Sequence, residues 1–360
     1  EQMGAVAFQA HPYRVPVIGW MNDLESMTVQ DAVKLCFQAA FGAEHLLTDP
    51  AATRSALLAE FAQVSPRPLV VFEPISDEYS RCNLAAWKDR LPPEWLFQIF
   101  WHSAAEKRDG GEPLFLEYLR IVSACAGEGV LPFHREEWER FLDSYLAGGI
   151  RPVHHSEVYR RREEPAYRIV KREYERLLPV FQKLAALPED TEPKIIAIDG
   201  RAAAGKTTLA DLLARVLAAD VVRMDDFFLP AELRTAERLA QSGGNIHYER
   251  FCSEVLPYLK KKESFSYRRF DCRTMDYAEA RVIQSRPWRI VEGSYSCHPA
   301  FGDYMDCRVF CDVAADEQMK RILKRNGPEM AAVFAARWIP MEEQYFKAEQ
   351  IKERADVIIE

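Results

Sequence analysis

The sequence predicts an α/β domain built on a parallel sheet covered by helices on both faces, preceded by a mainly helical α+β domain. Three observations carry this. In the second half, apolar runs of strand length alternate with stretches of helical periodicity, the pattern of a parallel sheet with crossover helices. One of those runs, Lys194–Asp199, enters a glycine-bounded turn that opens an apolar-periodic stretch (Leu209, Leu212, Leu213, Val216, Leu217). In the first half, apolar residues recur mostly at helical spacing, with one pair of short strand-like runs between the helices.

A chain of 360 residues with 48% hydrophobic content is long enough for about two domains, each with its own core. The formal net charge of -8 argues against binding nucleic acid by broad phosphate neutralisation, so anionic ligands must be met by local basic clusters. No apolar run has the length of a membrane span, and the first residues lack a basic segment followed by an apolar core. These features predict a soluble, unexported, cytoplasmic protein without nucleic-acid or membrane partners. The 8 cysteines show no close paired spacing of the zinc-site kind and are expected to be buried, reduced thiols.

Residues 1–150 form the predicted N-terminal domain. Thr28 caps a helix whose buried face carries Val29, Val33, Cys36, Phe37 and Ala40, and further helical patterns cover about 53–64, 93–107, 113–125 and 135–147. Leu69–Glu73 and a segment around Arg81–Leu84 read as strands joined by a polar turn. His11, Trp20, Asn22, His45, Glu73, Arg81, Asn83 and His102 are the polar residues here that could line a site, although no spacing among them dictates a chemistry. His154 and His155 are adjacent and would point to opposite faces of an extended chain, which disfavours a shared metal ion.

Residues 151–190 are dense in charges of both signs, while Val170, Tyr174, Leu177, Leu178, Phe181 and Leu184 keep a helical stripe, so the segment is expected to be a charged linking helix. Pro165 suits its first turn, and Pro179 should kink or end it.

The third segment, residues 191–360, holds the chemistry. Gly200-Arg201-Ala202-Ala203-Ala204-Gly205-Lys206-Thr207-Thr208 follows a strand and begins a helix, the context of a phosphate-binding loop. Glycines at both ends let backbone amides turn toward phosphate oxygens, and the helix start adds unsatisfied N–H groups and a positive dipole end. Gly200, Ala203, Ala204, Gly205, Lys206, Thr207 and Thr208 are therefore the expected nucleotide-binding residues, with Lys206 reaching the β- and γ-phosphates and the Thr207 hydroxyl on Mg²⁺.

Asp225 and Asp226 end the next strand, where carboxylates face the ligand crevice of an open α/β sheet, and one of them can accept a proton from a substrate hydroxyl. Glu292 ends a later apolar strand and is a candidate metal-associated acid. Arg321 and Arg325 are four residues apart on one helix face and could neutralise charge on a transferring phosphoryl group.

With GRAAAGKTT, MDDFFLP, GGNIHYERF, YRRFD, VEGSYSCHP and RILKRNG in this order, residues from about 194 onward resemble the uridine kinase family and its phosphoribulokinase and pantothenate kinase relatives. The resemblance implies a P-loop kinase-type sheet, ATP and Mg²⁺ as cofactors, and transfer of the γ-phosphate to a hydroxyl of a nucleoside-like or related small molecule. It also implies that Asp225 activates the acceptor, with Lys206, Arg321 and Arg325 as catalytic partners and Thr207 and Glu292 at the metal. Asp226, His247, Tyr248, Phe270 and Arg273 fall at the implied acceptor-binding positions. Phe270 stands where uridine kinases often carry a tyrosine, and His247 near their ribose-binding aspartate. The alternative is a nucleotide-gated regulatory ATPase whose N-terminal domain binds a partner; a guanine-specifying Asn-Lys-x-Asp sequence is absent.

Overall fold

The structure is a computed structural model that describes residues 25–47, 49–106 and 109–360. His11, Trp20 and Asn22 lie outside the described residues. The chain divides into two compact units with the boundary between Glu175 and Arg176.

In the first unit the helical stretches form α1 (Val29–Phe41), α2 (Pro50–Gln63), α3 (Leu84–Trp87), α4 (Pro93–Ala105), α5 (Gly111–Glu128), α6 (Arg135–Ala147) and α7 (Glu157–Glu163). Asp31, in the first turn of α1, accepts from the Thr28 backbone N–H and hydroxyl at 3.0 and 2.8 Å, which fixes the helix start. The apolar face of α1 packs on α5 and α6, and Leu35, Phe115 and Val122 are fully buried there. Side chains of this size each contribute roughly 1.5–3 kcal/mol when removed from water.

Strands β1 (Phe72–Pro74), β2 (Tyr79–Asn83) and β3 (Tyr167–Lys171) make an antiparallel sheet in the order β1-β2-β3. The expected linking helix is thus corrected. Val170 of its stripe, with Ile169 beside it, belongs to a strand paired with β2, and the helical stripe resumes in a 3₁₀ turn over Arg172–Leu177 and in α8 (Leu178–Ala185). Charged residues alternating with apolar ones suited either period, and the available edge of β2 selected the strand. Pro165 follows α7 rather than opening a helix, and Pro179 occupies the first turn of α8, where its missing N–H costs nothing.

The second unit is organised by a five-stranded parallel sheet: β4 (Lys194–Gly200), β5 (Asp220–Arg223), β8 (Trp288–Glu292), β9 (Cys307–Cys311) and β10 (Val357–Ile359), in the order β10-β9-β4-β8-β5. Consecutive residues Ile195–Ile198 are fully buried, as expected for a central strand covered on both faces. Helix α9 (Lys206–Leu217) packs on β4, β5 and β8, and α8 packs on β9 and β10. A separate hairpin of β6 (Phe265–Asp271) and β7 (Asp276–Ile283) lies outside the parallel sheet; β7 escaped the sequence reading because its polar pattern lacks a buried face. Four further helices complete the unit: α10 (Ala236–Leu239), α11 (Tyr248–Glu254), α12 (Ala315–Val333) and α13 (Ile339–Glu349).

Arg289 in β8 is wholly buried, its guanidinium ringed by the carbonyls of Tyr258, Leu259, Lys261, Glu263 and Gln284 at 2.5 to 3.2 Å. That cation staples the segment before β6 to the sheet. Most cysteines are buried as expected, but Cys272, in the β6–β7 turn, is exposed. Among the described residues no helix is long and apolar enough to cross a membrane.

Candidate active site

Parallel pairing aligns the carboxyl ends of three strands. Ile198 of β4 and Arg223 of β5 are both in register with Glu292 of β8, so the segments that leave these strands converge on one edge. The loop after β4 lies there. Gly200 has φ +136°, and a Cβ at this position would sit 2.1 Å from the Cys311 carbonyl oxygen of β9, so only glycine fits. Gly205 has φ +85° and leads into α9. Between them Ala203 is held at φ +59°, a left-handed conformation that an alanine adopts at a cost of about 1–2 kcal/mol. Strain of this kind is retained where the backbone must present its groups in a set direction.

Lys206 is buried, and its ammonium donates to the Gly200 and Arg201 carbonyls at 2.9 and 2.7 Å, placing the charge inside the loop. The Thr207 hydroxyl lies 3.1 Å from Glu292 Oε1. Arg223 holds the other Glu292 oxygen at 2.8 Å and reaches Asp211 at 2.6 Å. Asp225 follows β5 and is solvent-exposed, yet protein surrounds it closely enough that desolvation raises its carboxyl above the usual range. The negative charge of Glu292 pushes it further up, while Lys206 pulls it down. Arg321 of α12 donates from Nη1 to the Ala203 carbonyl at 3.2 Å and so lies against the loop. A cavity of about 740 Å³ flanks the loop here, bounded by Arg201, Asp312, Gln318, Arg321 and Ile339 among others.

The structure therefore brings Gly200, Ala203, Gly205, Lys206, Thr207, Glu292 and Arg321 together, with Asp225 within electrostatic reach of Lys206 and Glu292. Ala204 is buried within the same turn, and Thr208 is exposed on the first turn of α9. Arg325 is exposed and bonds the neighbouring Asn326 at 2.8 Å rather than the loop.

The residues expected at the acceptor differ in what they touch. Asp226 is buried, and one carboxylate oxygen accepts from Tyr267 at 2.8 Å and Arg281 at 2.7 Å, so it fastens the hairpin to the end of β5. Phe270 is buried edge-on against Tyr277 within the hairpin, and Arg273 is exposed in its turn. Tyr248 stacks on His298 at 4.8 Å and lies under the Arg238 guanidinium at 3.8 Å. His247 is the one that keeps an unused group: its Nδ1 is out of solvent and without a hydrogen-bond partner among the described residues.

Sequence reasoning missed the layer under the loop. Asp199 is buried and accepts from the Gly200, Tyr295 and Cys297 amides at 2.7, 3.1 and 3.0 Å and from the Tyr345 hydroxyl at 2.7 Å. Glu342 of α13, also buried, accepts from the Ala202 amide at 3.0 Å and lies 2.9 Å from the Ser294 hydroxyl, itself 3.0 Å from the Gly200 carbonyl. Burial raises both carboxyls. A lone acid in the apolar run before Gly200 was the available signal for Asp199. Glu342 carried none, because 140 residues separate it from its loop partner Ala202.

No family model matches the chain. Solved structures similar to it include a possible uridine kinase from Bacillus stearothermophilus (19% identity, 52% of this chain and 99% of that one, TM-score 0.41). A putative fructose transport system kinase from a Silicibacter species (23%, 51% and 96%, 0.42) and a D-glycerate 3-kinase from Cryptococcus neoformans (15%, 47% and 85%, 0.33) are also similar. Each of these likenesses covers about half of this chain.

Proposed function

We propose that the second unit is an ATP- and Mg²⁺-dependent kinase that transfers the γ-phosphate to a hydroxyl of a small, nucleoside-like or related metabolite. The observation that carries this reading is the pairing of the Thr207 hydroxyl with Glu292 at the start of α9, beside an accessible Asp225 at the end of the neighbouring strand. A loop that only binds a nucleotide needs no second carboxylate at that edge.

The hydroxyl of Thr207 and the carboxylate of Glu292, 3.1 Å apart, are hard oxygen donors, which suit Mg²⁺ and not a soft metal. Bound there with the nucleotide, Mg²⁺ would neutralise charge on the phosphate oxygens. The chain's own groups do the rest. The amides of Ala203, Gly205 and Lys206 and the Lys206 ammonium bind and orient the phosphates. The carboxylate of Asp225, made more basic by its surroundings, takes the proton of the acceptor hydroxyl at one Oδ as that oxygen attacks. Arg321, already against the loop, supplies a guanidinium for the equatorial oxygens of the phosphoryl group in flight. Glu342 and Asp199 keep the loop in the geometry these groups require.

The test is phosphate transfer from γ-labelled ATP to nucleosides, pantothenate, sugars and sugar phosphates. An acceptor that becomes labelled supports the proposal. Slow hydrolysis that no acceptor stimulates would favour a nucleotide-gated regulator.

A further inference from the structure

A cavity of about 850 Å³, within the range for metabolite sites, lies wholly within the first unit. The small antiparallel sheet builds one wall. Arg81 and Asn83 alternate onto one face of β2, and each is directly opposite a second wall residue, Glu73 of β1 and Tyr167 of β3 respectively. Helix α7 supplies Tyr159 and Arg160 from the other side.

The positive charge in this wall is concentrated and fixed. Arg81 is 2% exposed, with Nη1 3.2 Å from the Tyr159 hydroxyl, Nη2 3.2 Å from Gln38 Oε1 and the guanidinium 4.2 Å over the Tyr167 ring. Arg160 is exposed at the rim and makes no ion pair among the described residues. Lys34 lies close behind: burial, then the charges of Arg81 and Arg160, lower its ammonium to about 8. Most nearby carboxylates are engaged. Asp31 is bonded by Thr28, His155 and Ser156, Glu163 by Ser26, and Glu164 by Arg67.

His155 adds no competing charge. Asp31 lies 3.0 Å from Nδ1 and the Tyr167 hydroxyl 2.5 Å from Nε2, so Nδ1 carries the proton and Tyr167 donates to Nε2. Burial lowers the imidazole to about 4, which keeps it neutral near pH 7. Both ring nitrogens are occupied, and the histidine serves to fix the Tyr167 hydroxyl in the wall. What faces a ligand is the Arg160 guanidinium at the rim and, on the sheet face next to the fixed Arg81, the Glu73 carboxylate, which has no ion pair among the described residues, beside Asn83. An oxyanion suits the first and hydroxyl groups the second.

We infer that the cavity of the first unit is a binding site for a small phosphate monoester bearing hydroxyl groups, of the sugar-phosphate class. Its lining, which runs from Gln63 to Tyr167, includes no residue of the phosphate loop.

Calorimetric titration of the full chain with ribose 5-phosphate tests this, with a non-hydrolysable ATP analogue and Mg²⁺ present to fill the loop. Removing one charge-assisted contact in Arg160→Ala should weaken ribose 5-phosphate binding about tenfold or more. Glu73→Gln should weaken it less, and binding of the ATP analogue should be unchanged in both variants. Lys206→Ala should do the reverse. The inference is overturned if ribose 5-phosphate fails to bind at millimolar concentration. It also fails if Arg160→Ala leaves the affinity unaltered, or if Lys206→Ala abolishes binding. Malonate binding as tightly as ribose 5-phosphate would overturn the phosphate assignment. These readouts are binding constants, so they stand or fall separately from phosphoryl transfer.

Discussion

Replacing Glu342 separates two roles that a buried acid under a phosphate loop can have. Glu342→Ala removes the acceptor of the Ala202 amide and the partner of the Ser294 hydroxyl in a buried place. Leaving one such donor unsatisfied costs about 1–3 kcal/mol, and the space vacated by the side chain adds to it, for a total of roughly 2–4 kcal/mol. For a unit of this size each kcal/mol shifts Tm by about 2–4 °C, so the transition of the second unit should fall by roughly 4–16 °C. Glu342→Gln behaves differently. Its Oε accepts from Ala202, its Nε donates to Ser294, and Ser294 donates on to Gly200, so every bond survives while the buried charge disappears. Because burial holds the Glu342 carboxyl above its ordinary 4.5, the folded state binds that proton more readily than the unfolded one. Its contribution is therefore present at low pH and lost as pH rises through the folded value. The Tm of Glu342→Gln relative to the parent should accordingly increase from pH 4 to pH 7. Scanning calorimetry across that range measures it. Equal losses in the Ala and Gln variants, or a Gln advantage that shrinks with rising pH, would refute this reasoning.

Three further outcomes are expected. Gly200→Ala combines φ +136° with a Cβ 2.1 Å from a β9 carbonyl, so it should lower stability by at least about 3 kcal/mol, read as a loss of soluble protein or a Tm drop, with nucleotide binding impaired in what folds. Arg289→Met leaves a ring of buried carbonyls without donors and should cost about 3–5 kcal/mol in denaturant unfolding; a change below 1 kcal/mol would mean those carbonyls find other partners. In the first unit, burial puts the folded His155 value near 4, beneath the unfolded 6.5, so stability should fall as pH drops through that interval, and His155→Asn should flatten the slope of Tm against pH there.

The helices of the first unit and the parallel strands of the second were legible because each has one dominant period: Val29–Phe41 at helical spacing, Ile195–Ile198 as an unbroken apolar run. Tyr167–Lys171 was not, because whether it became helix or strand was decided by the edge of β2, far away in sequence. The same distinction divides the sites. The phosphate loop is local, and nine consecutive residues announce it. The supports from Asp199 and Glu342, and the grouping of Glu73, Arg81 and Asn83 with Tyr159 and Tyr167, exist only after strands and helices far apart in the chain are assembled. Arg325 shows the limit of spacing arguments: four residues place it on the face of Arg321, but reach and local bonding leave only Arg321 at the loop.

The most direct measurement of the central claim is single-turnover transfer of labelled phosphate from ATP to an acceptor found by screening, compared between the parent protein and Asp225→Asn. Loss of the proton acceptor should slow transfer by about 10²–10⁴-fold while ATP affinity stays within about threefold, because Asp225 is outside the loop that holds the phosphates. Transfer undiminished in Asp225→Asn, or ATP consumed without any acceptor becoming labelled, would contradict the account.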